Sequence, residues 1–205
     1  LQVRASRIGG HLDLRSTVVD GLIDCTATQV GLGIESGAAL DDPIRGVRSR
    51  LRTLASGLLL EGATCGGSVD LTGVRVVDRR RHDRRSAVPR AAREDGSIRA
   101  RGAQVTGNLL LEPVEASLAR DGLHARIEGE LDLSAMRANR IVLSNRVFDD
   151  ATPHRRRAVL ERSHVSRLDI RSPVPALDLT AITVERWELG ELADAADAGD
   201  GEAAR

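Results

Sequence analysis

IGGHLDLRSTVVDGLIDCTATQVGLGIESGAAL, residues Ile8 to Leu40, is the stretch from which the architecture can be read. Cut every eleven residues, it falls into IGGHLDLRSTV, VDGLIDCTATQ and VGLGIESGAAL. Ile8, Val19 and Val30 then share one column, and Leu12, Ile23 and Ile34 another; Gly10, Gly21 and Leu32 stand between them. The unit returns as LASGLLLEGAT (54–64), CGGSVDLTGVR (65–75), VTGNLLLEPVE (105–115) and IEGELDLSAMR (127–137). Over these seven units position 3 is Gly in five, position 5 is always Leu, Ile or Val, and position 7 is Leu in five, Cys25 and Ser36 being the exceptions. Position 10 is small or apolar: Thr17, Thr28, Ala39, Ala63, Val74, Val114 and Met136.

Residues at i and i+2 share one face of a strand, so Leu12 and Leu14 point inward together and Asp13 points out. The Gly before the pair marks a corner that needs φ > 0 or a close backbone approach. An amphipathic helix needs apolar residues at i, i+3, i+4 and i+7, which these units lack. The pattern predicts an all-β fold, a right-handed parallel β-solenoid (β-helix) of about six or seven coils. Two units make one coil of about 22 residues, rising about 4.8 Å as strands pair in parallel.

The solenoid is expected over 1–189. Toward its end Ala158/Leu160, Leu168/Ile170, Leu177/Leu179 and Trp187/Leu189 keep the i, i+2 pair at spacings of nine or ten. Pro173 and Pro175 fall between pairs, at corners, and Trp187 is placed to cover the end of the stack. Residues 190–205, rich in Ala, Asp and Glu, read as an acidic flexible tail. At the other end Leu1 and Val3 occupy positions 5 and 7 of a unit that would begin earlier, so the N-terminal coil is expected to be open or truncated. Charged insert loops interrupt the rhythm near 35–53, 77–97 and 145–157. The first follows Leu32–Ile34 and the second Val69–Leu71, the same place in successive coils, so both should leave from one edge; the third does not align.

Composition narrows the classes of function. Aromatic residues are 1% of the chain, so the core must be built from Leu, Val, Ile and Ala. Thirty basic residues balance thirty acidic ones, which excludes both a whole-molecule polyanion binder and an acidic mimic of nucleic acid. Cys25 and Cys65 lie on apolar columns and read as small buried hydrophobes, with no CxxC spacing. His11, His82, His124, His154 and His164 are scattered without ligand spacing, so no metal and no cofactor is indicated. No apolar run of eighteen residues exists, so no membrane span is expected, and the cytoplasm is the expected location.

At L-x-L preceded by Gly, as in GGHLDLR, GGSVDLTG, TGNLLLE and EGELDLS, the chain resembles the pentapeptide-like β-solenoid proteins of actinobacteria, over roughly Leu1 to Leu189. Some of these carry names such as membrane-associated oxidoreductase, for which no residue here provides chemistry. Pentapeptide repeats proper keep five-residue spacing and coils of twenty. The eleven-residue units here, with the balanced charge, argue against the DNA-mimic role of some members.

Three surface features bear on function. Asp13, Asp70, Asp132, Asp169 and Asp178 each sit in the middle of an inward pair and are the candidate catalytic residues: stacked carboxylates can hold a cation or work as acid and base on a polysaccharide. The simpler reading is a solvated position paired with neighbours such as Arg15, Arg167 and Arg171. Arg45, Arg48, Arg50 and Arg52 in the first insert, and Arg79, Arg80, Arg81, Arg84 and Arg85 in the second, are candidates for binding an anionic partner, nucleic acid or lipid. The alternative is a solvated loop neutralised in part by Asp41 and Asp42. Gly31-Leu32-Gly33-Ile34-Glu35-Ser36-Gly37 misses the dinucleotide fingerprint by one residue and has no helical pattern after it; Gly31 and Gly33 are read as outward repeat positions. The leading expectation is a non-catalytic scaffold or protein-interaction module, with a protein partner or self-association through the open N-terminal coil.

Overall fold

The computed structural model describes residues 1–14, 19, 21–35, 54–72, 74–77, 95–111, 126–144, 158–171 and 176–189. Among them there is no helix, and every strand pairing is parallel. In chain order the strands are β1 (Arg7–Ile8), β2 (Leu12–Asp13), β3 (Leu22–Asp24), β4 (Gln29–Val30), β5 (Ile34–Glu35) and β6 (Leu54–Ala55). Then come β7 (Gly57–Leu59), β8 (Thr64–Cys65), β9 (Val69–Asp70), β10 (Arg75–Val76), β11 (Ile98–Arg99), β12 (Gln104–Leu111) and β13 (Arg126–Ile127). The last are β14 (Leu131–Asp132), β15 (Arg137–Leu143), β16 (Ala158–Val159), β17 (His164–Ile170), β18 (Leu177–Asp178) and β19 (Thr183–Leu189).

The strands stack into three sheets. One runs β3-β7-β11-β14-β16-β18, and the longest runs β1-β4-β8-β12-β15-β17-β19, with β2, β5 and β9 joined to it through β12. The third is β6-β10-β13. Stacked parallel strands in this order are consistent with a parallel β-solenoid. In every layer the first sheet's inward residue precedes the long sheet's by seven: Ile23 and Val30, Leu58 and Cys65, Ile98 and Val105, Leu131 and Ala138, Ala158 and Val165, Leu177 and Val184.

The distance to the next inward residue changes along the stack. It is eleven from Ile23 to Ile34, Leu58 to Val69 and Ile98 to Leu109, and ten from Leu131 to Ile141, Ala158 to Leu168 and Leu177 to Trp187. The residue is lost between β12 and β15, where the register shifts between Val105 and Asn108: Val105 lies opposite Ala138 but Asn108 opposite Arg140. This is a bulge in the sense that two strands differ by one residue over the same span. A full layer is 22 residues from Arg7 to Gln29 and 19 from His164 to Thr183, and the bulge accounts for one of the three.

The inward columns form the core. Ile23, Ile34, Leu58, Val69, Leu109 and Leu131 at position 5, and Leu14, Cys25, Leu60, Leu71, Leu111 and Leu133 at position 7, are all buried in one cluster. Each side chain of this kind contributes roughly 1.5–3 kcal/mol on full burial. Among the described residues position 10 (Thr28, Ala63, Val74 and Met136) is buried as well, and the polar ones bridge layers: Thr28 Oγ1 donates to Val3 O, and Ser163 Oγ, at the equivalent place after Ala158, donates to Leu133 O at 2.7 Å. Leu1 to Val3 take the place expected for positions 5 to 7, with Gln2 paired to Asp24 and Val3 N donating to Asp24 O at 2.8 Å.

The corners use two devices, close approach and positive φ, and the repeated glycine serves both: Gly21 at position 3 has φ 132°, and Gly96, two residues before the inward Ile98, has φ 76°. Position-3 glycines Gly67, Gly107 and Gly129 do not have positive φ; a Cβ on any of them would run into the neighbouring layer, for Gly107 at 2.8 Å from Gly67 C. Their requirement is close approach. The left-handed corner falls instead at Ala5, Ala27, Gly62, Gly102, Ala135, Arg162 and Ala181, with φ between 48° and 67°. These residues stack in one column, each but the last donating its N–H to the carbonyl just before the next corner, as Ala135 N does to Glu161 O at 2.7 Å. An L-residue with a Cβ is disfavoured there by roughly 1–2 kcal/mol. Ala135→Gly is therefore expected to raise stability by about 0.5–1 kcal/mol, a gain of about 2 °C in thermal midpoint. A lowered midpoint would refute the left-handed corner.

Three further expectations are corrected. Gly33 is buried rather than outward, because its backbone packs under Ser68 O; Gly31 is exposed as expected. The second insert does not leave from the edge of the first, because the chain runs on past β9 into β10 of the third sheet before it begins, and it is the third insert that aligns with the first. Leu143, the last strand residue before 145–157, pairs with Leu111 and Ile170 in the long sheet, where Glu35 also ends β5 in the paired Ile34–Val69 column. The interior of each insert, Pro173, Pro175 and 190–205 lie outside the described residues. Trp187 ends the stack as expected but is 45% exposed.

Candidate functional site

The five candidate aspartates fall into two outward columns. On the long sheet the column reads Asp13, Glu35, Asp70, Leu110, Val142, Asp169, Glu188. On the first sheet it reads Asp24, Leu59, Arg99, Asp132, Val159, Asp178. Asp13, Asp70 and Asp169 thus share one face, and Asp132 and Asp178 another. Apolar residues interrupt both columns: Val159 separates Asp132 from Asp178, two strands and about 9–10 Å apart at the spacing of a sheet. Leu110 and Val142 separate Asp70 from Asp169.

These outward positions are less uniformly solvated than the alternation implies. Leu59, Val142 and Val159 are buried although they lie outside the main core cluster, and Asp24 and Asp169 are buried with them.

Local geometry gives most of the acids a structural task. Asp132 Oδ1 accepts from Ser134 N at 2.9 Å and Ser134 Oγ at 2.6 Å. Asp178 Oδ1 accepts from Thr180 N at 3.0 Å and Thr180 Oγ1 at 2.7 Å. Asp70 and Asp24 accept in the same way from Thr72 N at 2.9 Å and Thr26 N at 3.0 Å. Each is an Asx turn that folds the chain from strand into corner. The sequence carried the signal, a repeated Asp-x-Thr/Ser at 24–26, 70–72, 132–134 and 178–180, which reading the aspartates alone passes over.

Asp169 lacks the hydroxyl two residues on and is held by arginines instead. Arg140 Nε donates to its Oδ2 at 2.7 Å and Arg167 Nε to its Oδ1 at 2.9 Å. Arg167 Nη2 reaches on to Glu188 Oε2. Arg167, its hydrogen bond to Asp169 the largest cause, is raised above its ordinary value and stays charged. Arg140, Arg167 and Arg186 stack in register, so the outer face of β17 and β19 interleaves Arg with acid, and Arg140 of β15, beside Val142, extends the arginine row by one layer. The Arg167 pair was expected from the sequence. Arg140 was not, because it comes from the preceding layer, 29 residues away.

Among the described residues no three His, Cys, Asp or Glu side chains form a metal-holding group. His11 and His164 are exposed, while His82, His124 and His154 lie outside the described residues. Cys25 and Cys65 are free thiols, 0% and 1% exposed, as small core residues should be. Burial, reinforced by the Asp24 charge, pushes the Cys25 thiol from an ordinary value of 9.0 up to about 11. The direction is the same for Cys65.

The chain contains neither Lys nor Tyr, so few other groups titrate between pH 9 and 11. Over that window the unfolded thiol loses its proton while the folded one keeps it, so stability must fall as pH rises. The loss attributable to Cys25 approaches about 2–3 kcal/mol by pH 11, at 1.36 kcal/mol per pKa unit. Denaturant titrations across pH 8–11 should show this slope in the wild type and a shallower one in Cys25→Ala. Equal slopes would count against a buried, protonated Cys25.

The candidate anion-binding residues Arg45, Arg48, Arg50 and Arg52, and Arg79, Arg80, Arg81, Arg84 and Arg85, lie outside the described residues; so does Arg15. Their anchors are described. The first Arg-rich segment runs into β6 and the second leaves after β10, and these strands pair, Leu54 with Arg75 and Ala55 with Val76. No helix among the described residues is long and apolar enough to cross a membrane. No family model, curated protein or solved structure matches the chain.

Proposed function

We propose that the chain is a right-handed β-solenoid of six or seven coils that serves as a non-catalytic scaffold, displaying inserted segments to a protein partner. The observation that carries this reading is the stacking of departure points. β5, β12, β15, β17 and β19 end on one edge of the long sheet, and four of the segments between layers follow directly from those ends. Segments launched from stacked strands on a rigid core are held in fixed order, which suits recognition by loops. The Asx turns and ion pairs around the candidate aspartates favour a structural use of those groups over acid–base work on a polysaccharide, the weaker alternative. Two unpaired buried thiols suit a reducing compartment, and the cytoplasm is part of the same proposal. Kinship with the pentapeptide-like solenoids rests on the Gly-x-L-x-L units alone.

The test replaces 112–125, which follows β12 and leads into β13, by a short Gly-Ser linker. A displayed segment leaves the thermal midpoint within about 3 °C, since loop closure changes slowly with length. Collapse of the melting transition would mean the segment is part of the fold.

A second reading, binding of a nucleic acid or other anion, is favoured by the β6–β10 pairing, which anchors two Arg-rich segments side by side. A gel shift at low salt should weaken when Arg79, Arg80, Arg81, Arg84 and Arg85 become Ala. Undiminished binding by that variant would exclude the segment.

A further inference from the structure

The final strand leaves an apolar, self-complementary edge. β19 ends the strand order of the long sheet, with β17 on one side. Trp187 and Leu189, which continue the inward columns of Leu168 and Ile170, are 45% and 60% exposed. Leu177, Leu179, Ile182 and Val184 of the same layer are only partly buried, though they pack on the core. An edge strand with exposed large side chains is a site that natural proteins cover.

The outward residues of this strand say what covers it. Arg186 and Glu188 flank Trp187 symmetrically. When a second β19 is laid antiparallel with Trp187 opposite Trp187, residues directly across the pair share a face. Arg186 of each chain then faces Glu188 of the other, twice, adding to the Arg167 that Glu188 already accepts from within its own chain, and the two indoles meet on the inner face. Parallel stacking onto the first layer is less well matched. It would set the ten-residue spacing from Leu177 to Trp187 against the eleven from Leu1 to Leu12, a change that β12 and β15 absorb only with a bulge at Thr106–Gly107. It would also oppose Glu188 to Asp13. A two-fold contact brings each layer against its own copy and closes, whereas end-to-end stacking does not close.

We propose that the chain forms a coaxial, tail-to-tail homodimer through β19, centred on Trp187 and fixed in register by reciprocal Arg186–Glu188 pairs. The dimer would present two sets of inserted segments, so this inference builds on the display reading but does not need it. A dimer can form whether or not those segments bind a partner, and the linker variant of 112–125 should dimerise like the wild type.

The experiment uses the full 205-residue chain. Light scattering coupled to size exclusion should give a dimer that dissociates on dilution. Trp187 is the sole tryptophan, so its emission should shift to the red in step. Arg186→Glu and Glu188→Arg should each be monomeric with unchanged circular dichroism, because like charges face each other twice. Mixed one to one, the two variants should form a heterodimer, since both acids of the first chain then face the two arginines of the second. Should either variant fold poorly, Trp187→Cys provides the independent reading: oxidation should link two chains through position 187 while the buried Cys25 and Cys65 stay reduced. A wild type that is monomeric at high concentration, or that forms open-ended polymers, would overturn the proposal. So would single variants that remain dimeric, a mixture that fails to pair, or a Trp187→Cys chain that does not cross-link.

Discussion

Leu131→Asp is expected to abolish the cooperative melting transition of the whole chain. Leu131 is 0% exposed on β14, in register with Ile98 on one side and Ala158 on the other. Its removal alone, as Leu131→Ala, costs about 2–5 kcal/mol through lost transfer energy and a residual cavity. An aspartate there must also shed water or be protonated without a hydrogen-bond partner, a further penalty of several kcal/mol. Folded domains are stable by only about 5–15 kcal/mol in total. In a stack where each layer touches only its neighbours, loss of one layer also removes the interfaces on both sides. Circular dichroism melts of the two variants, with hydrogen exchange on the alanine chain, provide the measurement. An aspartate variant that melts like the wild type would mean that position 5 does not face the core.

Gly67→Ala is the second large effect, and it acts through the backbone alone. A Cβ at Gly67 would overlap the Leu32 carbonyl of the preceding layer, and Gly107 packs against Gly67 from the following one. Neither neighbour is the end of a flexible side chain, so relief requires two layers to separate. The expected cost is about 3 kcal/mol or more, at the upper end of overpacking. Gly10 occupies the same column, yet nothing lies within 4 Å of a Cβ there, so Gly10→Ala should cost less than about 1 kcal/mol. The pair is its own control: both substitutions change the unfolded chain alike, and only one meets a wall. Equal midpoints for the two would show that the layers are not as close as the geometry requires.

Much of the architecture was legible because inward positions obey a strict rule. A strand one residue out of phase would expose Leu12, Leu14, Ile23 and their equivalents together, so the column of Leu, Ile and Val could be aligned by eye and proved to be the core. Turn chemistry was harder. Only Gly announces a left-handed residue, and this chain places Ala at most of those corners, where the strain is overcome by neighbours stacked above and below. The close-packed glycines carried the opposite ambiguity, since the sequence marks them without saying whether φ or space is the reason. The candidate aspartates were visible, but their meaning depended on the Thr or Ser two residues later, and for Asp169 on Arg140 from another layer. Cross-layer partners lie at separations set by insert length, so no fixed spacing points to them.

The change from eleven to ten residues at Thr106–Gly107 has a consequence for how such a chain can be rearranged. Layers before that point share one spacing between the first sheet and the long one, eleven residues, and layers after it another, ten. A segment copied from Leu22–Glu35 should be accepted beside β7 but not between β15 and β17, where it would arrive one residue too long and turn its following inward side chain to the surface. The molecule is thus built from two interchangeable sets of parts with a single joint between them. Growth or shrinkage by whole layers is open to either set, and exchange between the sets is not.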